Sequence, residues 1–328
     1  MSETKTKFIT VFIPTYNGED NIAQTIEAVI NQELPSDYKL EFLIIDSGSS
    51  DKTLNIVERY SDKVRLERIP NSEFSHGSTR SKAAHLAKGE FILFLTQDAT
   101  PANYRWIINM LEPFFISDRV GCVFGRQIPR PNAPSTIKRE ISNVFAGFGP
   151  PDSILVQRNK SLVDGKETND LNNFFSDVNS AVRRDLLVGE VPFRSVAYAE
   201  DQLLAKDMQS KGYLKAYSPL GAVWHSNDYT AREYFRRKFD EYVGLYKTVH
   251  FPLVASKKSL LLGWIRPTLA DWKFIRKDNE YSFRSKVVWS LEAPLYNLAL
   301  KAGIYFAAKD IMSTKPKNKY SLERKTRS

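Results

Sequence analysis

Through its first 125 residues the chain alternates short apolar runs with amphipathic stretches of helical spacing, and most runs stop at a polar residue or a turn. Phe8 to Ile13 is a β-rich run ended by Pro14 and reads as a buried parallel strand. Asn21 to Asn31 follows, with Ile22, Ile26, Val29 and Ile30 on one helical face. Phe42 to Ile45 is a second strand that stops at Asp46, and Ser50 or Asp51 can cap a helix over Thr53 to Tyr60. Val64 to Ile69 is a third strand, Ser78 to Ala87 an alanine-rich helix, and Phe91 to Leu95 a fourth strand running into Thr96-Gln97-Asp98. Asn103 to Phe115 reads as helix and Gly121 to Gly125 as a fifth strand. This order predicts an α/β fold with an open, mostly parallel, Rossmann-like sheet and helices on both faces. Ligands of such sheets bind beyond the carboxyl ends of the strands. Thr15-Tyr16-Asn17, Asp46-Ser47-Gly48 and Gln97-Asp98 all fall there. Pro14-Thr15-Tyr16-Asn17-Gly18 follows the first strand in place of a glycine-rich fingerprint, which argues against a dinucleotide fold and against a P-loop.

Beyond Gln127 the pattern loosens, and Pro129, Pro131, Pro134, Pro150 and Pro151 mark irregular connections. Asp177 to Arg183 can return to the sheet, Glu200 to Lys211 is helical, and Ala222-Val223-Trp224 is a short strand before His225. Thr230 to Thr248 is a charged helix, and the last 80 residues read as helical, with aromatic residues among Lys and Arg. With 328 residues there is room for one large domain and an appendage, here a catalytic segment over 1–250 and a helical region with a basic tail over 251–328. The lone cysteine, Cys122, sits in an apolar run and reads as core; a single cysteine permits no internal disulfide, which suits a cytoplasmic setting. No apolar leader precedes Phe8, and Glu292, Pro294 and Lys301 interrupt the longest apolar stretch, so no spanning helix is expected. The net charge of +9 is concentrated late, with seven Lys or Arg against two acids from Lys309 to Ser328. Such a tail could meet an anionic membrane, nucleic acid or water alone. No nucleic-acid motif accompanies it, so nucleic acid is not expected as a partner.

The run Phe12-Ile13-Pro14-Thr15-Tyr16-Asn17-Gly18, then Leu43-Ile44-Ile45-Asp46-Ser47-Gly48-Ser49-Ser50-Asp51-Lys52-Thr53, resembles the opening of family 2 inverting glycosyltransferases. The likeness continues through Gly77-Ser78-Thr79-Arg80 and Gly89 to Leu95, and it spans about residues 8 to 250. Within that family, Phe74-Ser75-His76-Gly77-Ser78-Thr79-Arg80 and Leu95-Thr96-Gln97-Asp98-Ala99 are most similar to bacterial rhamnosyltransferases. The resemblance implies a GT-A fold and a dTDP-L-rhamnose donor. It also implies Mg²⁺ or Mn²⁺, and an acceptor hydroxyl on a saccharide for cell wall, capsule or O-antigen. A UDP-sugar donor satisfies the same nucleotide features, and a basic nucleic-acid-binding protein is the rival from another class.

The same resemblance assigns roles. Asp46 would accept the N3–H of the base, with Thr15 beside it. Arg80, near a helix start, would meet diphosphate where free backbone N–H groups also gather; its plain alternative is a surface salt bridge. Family members carry a D-x-D-type motif after the fourth strand to hold metal and diphosphate. Here only Asp98 remains of it, with Gln97 as a neutral substitute. His225 would complete the metal site. In the Glu200-Asp201 pair, Asp201 is matched to the catalytic base that takes the acceptor proton, while Glu200 orients the acceptor or caps its helix. The stretch Asn172 to Ser180, Asn179 included, and Trp224 are candidates for sugar contacts, and Arg236-Arg237-Lys238 for phosphate or a solvated face. The aromatic and basic C-terminal region suits an anionic bilayer, a homo-oligomer interface or internal packing equally, and a polyprenyl-diphosphate-linked acceptor would place the chain at the inner face of the cell membrane.

Overall fold

The structure is a computed structural model that describes residues 6–157, 174–196, 198–253, 256–313 and 319–322. The chain forms two compact units, one from 1–128 with 144–225 and one from 129–143 with 226–328.

The first unit is built on a mixed sheet. Its strands are β1 (Lys7–Thr15), β2 (Tyr38–Asp46), β3 (Val64–Arg68), β4 (Phe91–Leu95), β5 (Thr100–Pro101), β6 (Val120–Ile128), β7 (Leu155–Gln157), β8 (Asn179–Arg183) and β9 (Leu214–Trp224). The order is β3-β2-β1-β4-β8-β6-β9-β5, with β7 also on β9. β1 to β4 run parallel, and β6 pairs parallel with β9. β8 lies between β4 and β6, antiparallel to both. Helices α1 (Ile22–Ile30), α2 (Thr53–Glu58), α3 (His76–Leu86), α4 (Trp106–Ile116), α6 (Arg184–Val188) and α7 (Glu200–Ser210) connect the strands. Ile9, Val11, Ile13, Ile44, Leu93 and Leu95 join α1 and α4 residues such as Ile26 and Trp106 in one fully buried cluster. Each aliphatic chain so buried contributes about 1.5–3 kcal/mol, which is why the apolar runs become the central strands.

The second unit is helical. It holds most of α5 (Ser135–Ala146), then α8 (Ala231–Val249), α9 (Lys257–Leu262), α10 (Ile265–Lys277) and α11 (Phe283–Ile311). Thr230 and Glu233 form a reciprocal capping box at the start of α8. Tyr234 and Tyr296 pack with Ile137, and Phe239, Val243 and Ala307 make a second small core. Gly303 lets α11 come close to α8: a Cβ there would stand 2.9 Å from the Phe235 carbonyl oxygen. No described helix is long and apolar enough to cross a membrane.

The β9 strand differs most from expectation. It covers eleven residues where the apolar pattern showed three, because Lys215, Pro219 and Gly221 interrupt the run. Lys215 is fully buried, and its Nζ donates to the Phe174 carbonyl at 2.9 Å. Burial pushes its ammonium down to about 8.

Candidate active site

The carboxyl ends of β1 and β2 lie side by side, with Thr15 opposite Asp46 in register. Both are buried. Asp46 accepts from Thr15 Oγ1 at 3.1 Å, from the Gly48 and Ser49 amides at 2.9 Å each, and from Ser49 Oγ at 2.5 Å. The two following loops are joined by side chains. Asn17 Oδ1 accepts from the Ser50 amide, the Gly18 amide donates to Thr53 Oγ1, and the Glu19 amide donates to Asp51 Oδ2. Asp51 also accepts from the Thr53 amide and hydroxyl. Gln97 clamps the first loop, accepting from the Tyr16 amide at 3.0 Å and donating to the Tyr16 carbonyl at 3.1 Å. These hydrogen bonds tie the two strand-end loops to each other and to Gln97.

Asp98, just past β4, and His225, just past β9, converge. His225 Nε2 stands 3.5 Å from Asp98 Oδ2. Burial disfavours charge on Asp98, but the neighbouring imidazole, with hydrogen bonds from His225 and Thr96, holds its carboxyl well below the usual carboxylate range. Gln127, on β6, meets the other ring nitrogen: His225 Nδ1 to Gln127 Oε1 is 3.0 Å. Gln127 Nε2 donates to Ser176 Oγ at 3.2 Å, so the amide bridges the His225 ring and Ser176. An imidazole nitrogen and a carboxylate oxygen so placed are held together by a proton or a metal ion between them, and a metal-binding histidine is oriented by a hydrogen bond on its far nitrogen. Among the described residues no group of three or more His, Cys, Asp or Glu is placed to hold a metal ion, so any metal at Asp98 and His225 would complete its shell with substrate oxygens and water.

The residue after Ser176 opens an acidic cluster. Arg80 of α3 sends Nε to Asp177 at 3.0 Å and Nη1 to Glu200 at 2.7 Å, and all three side chains are buried. The Asp177 amide donates to Asp201 Oδ2 at 3.2 Å, and the Gln202 amide caps Asp201 Oδ1 at 2.7 Å. Gly77 permits this packing, since a Cβ there would stand 2.3 Å from the Arg194 carbonyl oxygen. Ala199, at φ 59°, makes the left-handed turn that starts α7 with Glu200 and Asp201. Three carboxyl groups share one guanidinium. Burial, then Glu200 and Asp177, raise the Asp201 carboxyl well above its ordinary value, and burial pushes Asp177 up to about 6. Asp201 as a residue is half-buried. Asp98, His225, Gln127 and Ser176 therefore form one polar chain, and Asp177, next to Ser176 in sequence, joins Arg80 and Glu200 in a second.

The model of glycosyl transferase family 2 matches residues 10–188, more than half of the chain. The O-antigen chain rhamnosyltransferase WbaN of Salmonella anatum is 34% identical over 235 residues, which is 70% of each chain. RfbN of Salmonella typhimurium, of the same description, is 31% identical over 235 residues, 71% of this chain and 70% of the relative. The chain belongs to glycosyl transferase family 2. It is a glycosyltransferase of GT-A fold, and a solved mannosyltransferase, PcManGT from Pyrobaculum calidifontis in complex with GDP-Man and Mn²⁺, shares that fold at TM-score 0.57 and 19% identity over 92% of this chain and 86% of the other.

In this glycosyltransferase Thr15, Asp46, Gln97 and Asp98 stand at strand ends, and Asp98 and His225 meet. Glu200 and Asp201 open α7 as expected from the sequence. Arg80, expected to face diphosphate or solvent, is instead turned inward onto Asp177 and Glu200, because an acid-rich cluster needs its charge. Asn179, expected beside the sugars, is fully buried. It accepts from Trp106 Nε1 and donates to the Gly221 and Arg126 carbonyls, which leaves no surface for a sugar. Trp224 ends β9, opposite Thr100, and is half-buried. Asn172 and Asn173 lie outside the described residues. Gln127 has no local sequence signal, and Asp177, within the stretch expected to border the sugars, shows its ion pair only through Arg80, 97 positions earlier.

Proposed function

We propose that the protein is an inverting rhamnosyltransferase that moves L-rhamnose from dTDP-L-rhamnose to a hydroxyl of a lipid-linked saccharide in O-antigen, capsule or cell-wall synthesis. Its catalytic segment is residues 1–250, and it works in the cytoplasm, peripherally at the inner face of the membrane that carries the acceptor. The observation that carries the reading is Asp201: a half-buried residue at the start of α7 whose carboxylate is made more basic by burial and by Glu200 and Asp177, in the same unit as the Asp98–His225 pair.

Asp201 takes the proton of the acceptor hydroxyl as that oxygen bonds to the anomeric carbon. The bond to the donor phosphate breaks from the opposite face, and the nucleoside diphosphate leaves with the electron pair. Glu200 holds the acceptor side of the cluster, and Arg80 keeps the acids together. Asp98 and His225 suit a hard divalent ion, Mg²⁺ or Mn²⁺, which neutralises the leaving diphosphate. Asp46 and Thr15 present acceptors to the base, with Asp46 exchanging one of its four loop hydrogen bonds for the base N3–H. That N3–H is common to thymine and uracil, so a UDP-sugar is the competing donor. Incubating the protein with a donor panel and detecting released nucleotide separates the two. Turnover confined to dTDP-L-rhamnose is expected, and preference for UDP-glucose, UDP-galactose or UDP-N-acetylglucosamine would replace the donor assignment.

A further inference from the structure

The helices after residue 256 leave a broad apolar surface without cover. On α10, Ile265, Leu269 and Trp272 form one stripe, and all three are exposed. On α11, Phe283, Val287, Leu291, Leu295 and Leu298 recur every three or four residues and are also exposed, Leu291 at 73% and Phe283 at 85%. A groove of about 630 Å³ joins the two stripes, with Leu269, Trp272 and Leu291 on its walls. The Trp272 indole N–H donates to the Ser290 carbonyl at 2.8 Å, which fixes the ring between the helices. Water-facing helices do not normally carry contiguous apolar stripes of this kind.

The charges around the surface say what covers it. Lys273, Arg276 and Lys286 line the same groove. Along α10 the stripe passes directly into them, since Ile265, Leu269, Trp272, Lys273 and Arg276 share one helical face. Exposed Arg266, Lys277 and Arg284 add to the same two helices. The acids do not balance them: Asp271 is fully buried and held by Arg139, Thr136 and Asn297, Asp278 and Glu280 are tied to Lys138, and half-buried Glu292 on α11 is a single charge against Lys273, Arg276 and Lys286. An apolar stripe interleaved with cations, with a tryptophan among them, fits an anionic bilayer surface. Protein interfaces, in contrast, deplete lysine at their apolar centres. No described helix can span, so the contact is one of lying on the membrane.

We propose that the α10–α11 face is a docking surface for an anionic phospholipid membrane, with Leu269, Trp272 and Leu291 entering the headgroup–acyl boundary and Lys273, Arg276 and Lys286 meeting lipid phosphates. The proposal rests on the reading of the protein as peripheral to the membrane and adds the surface that makes the contact.

The full chain is sedimented with vesicles of phosphatidylcholine alone or of equimolar phosphatidylcholine and phosphatidylglycerol. Binding to the anionic vesicles only, weakened by salt, is expected. Lys273→Gln with Arg276→Gln lowers the partition coefficient about fivefold per cation, or about twenty-five-fold together. Leu269→Gln with Leu291→Gln abolishes binding while circular dichroism and donor hydrolysis stay as in the wild type. Quenching of Trp272 by brominated lipid, absent in Trp272→Phe, locates the contact. Equal binding to both vesicles, or unchanged binding by the variants, overturns the proposal. So does a stable dimer by sedimentation velocity that the leucine variants dissociate, since the face would then be protein-covered. Transfer to a detergent-solubilised acceptor is measured in parallel. If vesicle binding fails and transfer persists, the docking surface falls and the function stands; vesicle binding without transfer has the reverse meaning.

Discussion

Both units bury ionic clusters, and the two kinds differ in their balance. In the helical unit, Asp271 is matched by Arg139 and by donors from Thr136 and Asn297, and Lys238 by Glu140 and Glu241. Burial opposes charge on Lys238 and Glu140, yet each partner outweighs it. Lys238 is held well above its usual value and Glu140 below. In the sheet unit, Arg80 is the one cation among the described residues that answers Asp177, Glu200 and Asp201, and Asp177 and Asp201 are driven towards their protonated forms. Balanced clusters hold helices in place. The unbalanced one keeps a carboxylate eager for a proton, which is what a general base requires.

The sharpest way to break this contrast is Asp201→Asn. It should lower kcat about 10²–10⁴-fold, the range for loss of a general base, while calorimetry shows donor affinity unchanged. Full turnover would move the base elsewhere. Asp271→Ala should do the opposite, leaving kcat per folded molecule intact. It should lower the unfolding free energy in a urea titration by about 3–5 kcal/mol, because Arg139 loses its partner. Gln127→Leu tests the link between His225 and Ser176. Without the hydrogen bond on Nδ1, His225 loses its orientation, and the Mn²⁺ affinity measured with bound nucleotide should fall about 10–100-fold. An unchanged affinity would take the metal away from His225. The smallest effect is a shift of the pH profile. A base with a raised pKa is active only above it, so kcat should fall on acidification at a pH above the ordinary carboxylate range. Glu200→Gln removes the like charge and frees Arg80, both of which lower the Asp201 pKa, so that acid limb should move to lower pH. A limb that stays put would detach Asp201 from the cluster.

The parallel half of the sheet was legible because β1, β2 and β4 are buried on both faces and show as unbroken apolar runs. β9 hid behind Lys215, a charge that its sequence neighbours give no reason to bury. The direction of β8 also left no local trace, since strand polarity depends on what precedes and follows. In the site, residues at strand ends could be named one by one because polar side chains stop apolar runs. What joins them could not: Arg80 and Glu200 are 120 positions apart, and Arg80 carries the same local signal whether it faces phosphate or acid.

The antiparallel strand between β4 and β6 also sets a timetable. Synthesis delivers the amino end first, so the loops after β1 and β2 and four parallel strands exist while β4 still has a bare edge. That edge is a template for other strands until residues 179–183 emerge to cover it. Asp201 and His225 follow later still. A nascent or truncated chain can therefore carry both strand-end loops and yet be adhesive, and Asp201 and His225 join them only after that edge is covered.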